Sequence, residues 1–285
     1  MNPSPTEHHT EHYEVYVLEY ARSKNQPVAS LLLGVYDEGV IDLPFAFVLV
    51  RNARRTVLID TGFMRQDGGA RMAEKFAVTD WISPLTLLSA LDVAPEQVTD
   101  IVLTHAHYDH MGAIDQFPAA RLHLQERELL SWVSALALPK RFSFLTAAVN
   151  PEDLHAALRS AEAHQLNLLQ GDTDDVVPGI HGRLAADSHT FGSQFVVVET
   201  ARGRHVISGD CVYSYRNITG RNGDGVYIPL GFGVGSHFES LKAIDRIHAE
   251  VEGDLNRIVV LHDDERWARF TTVHEIEGFK IVQVA

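Results

Sequence analysis

Leu103-Thr104-His105-Ala106-His107-Tyr108-Asp109-His110 is the stretch on which the reading of this chain turns. It follows at once on the apolar run 101–103, which reads as a short strand. Extended residues alternate sides, so His105 and His107 share one face. Asp109 and His110 come where the chain turns into a helix. Four ligand-type side chains in six residues suffice for two adjacent metals rather than one. Imidazole with carboxylate favours zinc, with iron or manganese as alternatives. Three imidazoles and a carboxylate packed together without metal leave buried polar groups unpaired, at a cost of several kcal/mol.

Working outward, other polar breaks fall in the same way. Val57-Leu58-Ile59 ends in Asp60, Val206-Ile207-Ser208-Gly209 in Asp210, and Ile258-Val259-Val260-Leu261 in His262. With the run before His105, four apolar strands deliver an Asp or His at the carboxyl end, where open α/β sheets place their sites. His189, after the weaker run 184–188, is a fifth case. The isolated His123, His205 and His274 read instead as surface or satisfied core residues. His8, His9 and His12 read as a solvated cluster.

Strands are expected at 13–20, 43–50, 56–59, 101–103, 118–124, 195–199, 205–207 and 258–261, from alternation or apolar runs. The polar break 51–55 joins the second and third as a hairpin. Helical spacing is seen at 83–91, 126–136, 151–165 and 236–251, the last opening on the capping box Ser236-His237-Phe238-Glu239. Strands and helices alternate in both halves without a Gly, Pro and Ser linker. The economical reading is one α/β domain of two similar halves over 13–285, behind a disordered tail over 1–12. Residues 213–235 lack periodicity, and so long a stretch reads as a functional loop.

Composition narrows the function. The 285 residues are 45% hydrophobic and 22% charged, an ordinary globular profile. A net charge of −14 and the absence of a basic patch beyond Arg51, Arg54 and Arg55 argue against nucleic acid. Cys211 is the only cysteine, which excludes an internal disulfide and a zinc–thiolate cluster. No run approaches the roughly 20 apolar residues of a membrane helix, and 1–14 is polar without a signal-peptide core. A cytoplasmic protein without membrane attachment is expected.

The H-x-H-x-D-H run, with Asp60 before it and His189, Asp210 and His262 after it in that order, resembles the metallo-β-lactamase superfamily over residues 43–264. The resemblance implies an αββα sandwich, two sheets face to face with helices outside and the site on one edge. It further implies two zinc ions, the first held by His105, His107 and His189 and the second by Asp109, His110 and His262. Asp210 bridges both, and Asp60 supports the ligands from behind. Tyr213, three residues past Asp210, and the ending Leu261-His262-Asp263-Asp264 resemble the N-acyl-homoserine lactonases and the related pyridoxolactonases. Lactonases of that group carry a tyrosine there against the substrate carbonyl. The sequence departs from the family at Asp187-Ser188, where Pro-Gly is usual before the histidine.

What the resemblance implies is a dinuclear zinc hydrolase that opens a lactone or similar acyl bond by attack of a metal-bridging hydroxide. Tyr213 steadies the oxyanion and Asp109 passes a proton to the leaving alkoxide. Cys211 reads as a small buried filler. The nearest rival is hydrolysis of another ester, a cyclic amide or an activated aromatic compound on the same site. A flavo-diiron oxidoreductase normally has Glu in place of His107. A thioester hydrolase of the glyoxalase II kind or a mononuclear iron persulfide oxidoreductase needs no Tyr213, and a superfamily nuclease is disfavoured by charge. The substrate expected is a small molecule, an acyl or aromatic lactone. Its pocket is expected between 13–36, 63–84, 132–144 and the loop after Tyr213, with Trp81, Trp132, Phe142, Phe144, Tyr215, Tyr227 and Phe232 as aromatic wall. A homodimer is a family-level expectation.

Overall fold

The computed structural model describes residues 12–285, so the tail expected over 1–12 lies outside them but for His12, which is exposed. In chain order the strands are β1 (Glu14–Pro27), β2 (Val40–Arg51), β3 (Thr56–Ile59), β4 (Val78–Trp81), β5 (Asp100–Val102), β6 (Arg121–Gln125) and β7 (Leu166–Leu169). They continue with β8 (Thr173–Val177), β9 (Ile180–Leu184), β10 (Gln194–Thr200), β11 (Gly203–Ile207), β12 (Ile258–Val259), β13 (Thr271–Ile276) and β14 (Phe279–Gln283). One sheet runs β13-β14-β1-β2-β3-β5-β6-β7 with β4 paired to β1, and the other runs β12-β11-β10-β9-β8.

Alternation along the strands builds the layers. Val15 and Val17 of β1, Ala46, Val48 and Val50 of β2, and Val57 and Ile59 of β3 face Val196, Val198, Ile207 and Val259 of the other sheet in one buried cluster. The intervening Tyr16, Leu18, Phe47 and Leu49 point the other way, into one buried cluster that also takes in residues of the helices Pro84–Ser89 and Glu126–Leu136. Phe195, Val197, Val206 and Ile258 likewise point outward beneath the helix His237–Glu250. The result is the expected αββα sandwich. Each of these side chains is buried on a sheet face, at roughly 1.5–3 kcal/mol apiece.

Parallel pairing positions the strand ends. β3, β5, β6 and β7 are mutually parallel, as are β11 and β12. Asp60 and His105 therefore leave the first sheet, and Asp210 and His262 the second, at one shared edge. Gln194 ties the sheets there: its backbone N–H donates to Thr104 O at 2.9 Å and its side-chain amide to Leu103 O at 2.6 Å.

Several local signals form as expected. Asn52 Oδ1 accepts from the backbone N–H groups of Arg54 and Arg55, both at 2.9 Å, closing the hairpin. Of the expected capping box, Ser236 Oγ accepts from Glu239 N at 3.1 Å, whereas Ser236 N donates to Asp187 O at 2.8 Å instead of to the Glu239 carboxylate. Other boundaries move. β1 runs on through two bulges, and its polar end Arg22 to Gln26 masks the alternation. β12 covers only Ile258 and Val259. The hairpins β8–β9 and β13–β14 and the helix Asp67–Lys75 were not expected. β13 is largely exposed and β8 carries two aspartates, so neither shows an apolar pattern. Among the described residues, no helix is long and apolar enough to cross a membrane.

Candidate metal centre

Asp60 sits just past β3 with φ of +61°, a conformation open mainly to Gly, Asn and Asp. That turn aims its buried carboxylate at the His105 loop. Oδ1 accepts from Thr104 N at 2.7 Å, and Oδ2 from Thr104 Oγ1 at 2.8 Å. Oδ2 also meets His110 Nδ1 at 2.8 Å. His107 then caps the short helix Tyr108–Met111, whose first turn presents Asp109 and His110.

The same logic fixes two further rings by one nitrogen. His105 Nδ1 lies 3.1 Å from Thr104 Oγ1, and His262 Nδ1 lies 2.9 Å from Pro44 O. Each ring is thus anchored by Nδ1, with Nε2 directed inward.

Those inward atoms converge on Asp210. Its Oδ1 is 3.1 Å from His110 Nε2 and 3.0 Å from His262 Nε2. Its Oδ2 is 3.4 Å from His189 Nε2 and 3.7 Å from His105 Nε2. His107 Nδ1 stands 3.0 Å from His189 Nε2. Asp109 Oδ2 lies 3.5 Å from His110 Nε2 and 3.8 Å from His262 Nε2. Two donor groups result, His105, His107, His189 and Asp210 in one and Asp109, His110 and His262 in the other, with the donor atoms of each within 4.8 Å of one another.

These residues fit metal ions. The Nε2 atoms of His105, His110 and His262 and both oxygens of Asp210 are buried without a hydrogen bond. An unpaired buried polar group costs about 1–3 kcal/mol, so five together make little sense as packing. Burial pushes the His105 imidazole well below its ordinary range, and the His110 charge pushes the same way. His107 is pushed down to about 3 by burial and then by His189. Burial also opposes charge on His110, but Asp210, Asp109 and Asp60 outweigh it and raise that ring. The neutral imidazoles of His105 and His107 are the form a divalent metal takes up, whereas at His110 a metal would have to displace a proton.

An apolar cavity of about 190 Å³ opens over this cluster. His107, Asp109, His189, Tyr213 and His262 form its polar floor, and Phe45, Phe76, Phe144, Phe232, Leu145 and Val234 stand in its walls. Tyr213 is buried and stacks on His262, with centroids 4.9 Å apart and planes at 23°. Burial raises its hydroxyl well above the ordinary tyrosine range, and the Asp210 charge adds to this, so the phenol keeps its proton. The loop after Tyr213 folds back on the site: Val234 N donates to His189 O at 2.9 Å. Gly233 allows that approach, because a Cβ there would lie 2.7 Å from His189 O.

The aromatic wall differs from expectation. Of the seven residues named, only Phe144 and Phe232 line the cavity. Trp132 is buried behind His107, with ring centroids 5.7 Å apart. Trp81 Nε1 donates to Phe63 O, Tyr215 Oη to Ile258 O, and Tyr227 Oη pairs with His248, so each is spent on packing. Phe142 lies on the surface beside Arg141. Phe45 lines the cavity from outside the expected segments, and Phe76 lines it from the expected segment 63–84 without having been named. Phe45 sits in β2, where it looks like any core residue, and Phe76 follows the unexpected helix Asp67–Lys75. Cys211 is buried, its thiol pushed up to about 12 by burial. His123 is satisfied by Asp100 and Asn167. At the departure before His189, Asp187 takes φ of +55° and pairs with Arg127, while Ser188 Oγ donates to Ala185 O at 2.6 Å.

Comparison with known proteins agrees with this geometry. The N-acyl homoserine lactonase AiiB of Rhizobium rhizogenes is 30% identical over 106 residues, covering 34% of this chain and 38% of that protein. A probable metallo-hydrolase of Mycobacterium bovis is 32% identical over 104 residues, or 34% of each chain. The similarity thus spans little more than a third of these relatives. A crystal structure of a quorum-quenching N-acyl homoserine lactone lactonase superposes with a TM-score of 0.67 at 19% identity, covering 90% of this chain and 95% of that one. AidC, a dizinc quorum-quenching lactonase with a bound product, gives 0.65 at 17% identity, covering 94% and 93%. At such identities the likeness is one of fold. The model of the metallo-beta-lactamase superfamily matches residues 44–252. The chain belongs to the metallo-beta-lactamase superfamily.

Proposed function

We propose that this protein is a dinuclear zinc hydrolase that opens a lactone or a similar acyl bond. The observation that carries the reading is the divided carboxylate of Asp210, with each oxygen turned to a different set of imidazoles. His105, His107 and His189 hold one ion, Asp109, His110 and His262 hold the other, and Asp210 serves both. Zinc bound there supplies Lewis-acid polarisation of a carbonyl and a water acidic enough to ionise near neutral pH.

The chain's own residues do the rest. Tyr213, held against the His262 ring, donates its proton-bearing hydroxyl to the carbonyl oxygen as negative charge develops, an effect of about 3–4 kcal/mol. Asp109, at the cavity floor beside His110 and His262, carries a proton to the alkoxide released when the acyl C–O bond breaks. The apolar walls keep bulk water away from these charges.

A second reading, hydrolysis of an aromatic lactone or aryl ester, is favoured by the four phenylalanines around the cavity. The test is a panel of acyl-homoserine lactones, aromatic lactones and aryl esters offered to the zinc-loaded protein. Preferential opening of acyl-homoserine lactones supports the first reading, and preference for aromatic lactones or aryl esters supports the second. Turnover of neither, in protein carrying two zinc ions, overturns both.

A further inference from the structure

Glu128 is a carboxylate on the apolar side of a helix. In Glu126–Leu136 it shares the buried face with Leu129, Trp132 and Ala135, and it is wholly buried. Four donors converge on it. Oε1 accepts from Ala106 N at 2.9 Å and Trp132 Nε1 at 2.7 Å. Oε2 accepts from Thr190 Oγ1 at 2.8 Å and Gly192 N at 2.6 Å. Three of the partners are N–H groups that can only donate, and these bonds favour the ionised carboxylate against the burial that raises it above its ordinary range.

The partners belong to two separate loops. Ala106 lies between His105 and His107, past the end of β5 in the first sheet. Thr190 and Gly192 follow His189, ahead of β10 in the second. Trp132 carries the contact one step further, since its ring packs on His107. Approach is so close that a Cβ on residue 192 would fall 2.5 Å from Glu128 N. The second donor group has anchors of its own, Asp60 for His110 and Pro44 for His262, and neither touches Glu128.

We propose that Glu128 is a positioning residue that sets the span between His107 and His189 and thereby the affinity of the first metal alone. The inference rests on the two-metal reading above. Glu128→Gln keeps the size but turns an NH₂ toward two N–H or O–H donors, which drives the loops apart. Thr190→Val is the milder variant, removing one donor and leaving the charge.

The experiment is Zn²⁺ titration of the chelator-treated full chain, repeated with Co²⁺ so that the absorption spectrum reports coordination at each site. E128Q is expected to bind one ion as wild type does and the other about 10–100-fold more weakly. T190V is expected to weaken the same site by less. Unchanged affinities in both variants, or equal weakening of both ions, overturn the proposal while leaving the two-metal reading intact. If E128Q does not fold, T190V alone decides by the same criterion. A wild-type chain that binds no zinc overturns the two-metal reading and this inference with it.

Discussion

Asp60 Oδ2 holds His110 Nδ1 at 2.8 Å, and this one contact turns the far nitrogen of the ring toward Asp210. The carboxylate contacts no other imidazole, but through Thr104 it also steadies the residue before His105. Asp60→Asn keeps the left-handed backbone that Asn tolerates, and it weakens the grip on His110. Zinc affinity is expected to fall about 10–100-fold, chiefly at the ion held with Asp109 and His262. Calorimetric titration checks this, and wild-type affinity for both ions would refute the role given to Asp60.

Five buried donor atoms without hydrogen bonds make the metal-free fold less stable than the loaded one. Zinc at about 100 times its dissociation constant contributes about 2.7 kcal/mol. For a chain of this size that corresponds to a rise of about 4–5 °C in melting temperature for each ion bound. Thermal melts with zinc and with a chelator measure it directly. Coincident midpoints would mean that the cluster is held together without metal.

Tyr213 contacts the site through its ring, stacked on His262, so Tyr213→Phe removes the hydroxyl and little else. The expected outcome is a fall in kcat of about 10²–10³-fold, the usual loss of one oxyanion donor, with two zinc ions still bound. Steady-state kinetics beside metal analysis separates the effects. Unchanged turnover demotes the tyrosine to packing, and lost zinc assigns it to the metals instead.

The metal-binding pattern was legible because Asp60, His105, Asp210 and His262 each stand just past an apolar strand, and parallel pairing then brings the ends of β3, β5, β11 and β12 to one edge. Nothing in that logic depends on fine side-chain placement. The cavity wall was less legible. Trp132 and Tyr215 have the composition of a substrate pocket, yet their polar atoms found partners at Glu128 and Ile258 and both became core. Phe45 looks like core and is wall. Which side of a strand meets solvent near its end depends on the loop that covers it, and here that loop runs from 213 to 235 with no periodicity to read. Glu128 escaped for a related reason. An acid in the first turn of a helix ordinarily reads as a favourable dipole partner in water, although its spacing with Trp132 and Ala135 places it on the buried face.

Asp153 stands in the first turn of the helix Pro151–Glu162, near Asp115, and it offers a test by pH. Burial raises its carboxyl from the ordinary 3.8 to about 7, against the opposing hydrogen bond that Asn150 Nδ2 donates to Oδ1 at 2.7 Å. Its Oδ2 has no partner. Below about 4 the group is protonated in both folded and unfolded chains and carries no penalty. Between about 4 and 7 the unfolded chain ionises in water while the folded chain keeps the proton, so stability is lost across that window and levels off above 7, where the folded chain buries the charge. Asp153→Asn keeps the acceptor for Asn150 and removes the charge. The unfolding free energy from urea melts at pH 8 is therefore expected to rise by an amount on the order of 1–4 kcal/mol over wild type, with a smaller gain at pH 5. Equal gains at the two pH values would show that the buried carboxyl does not titrate in this window.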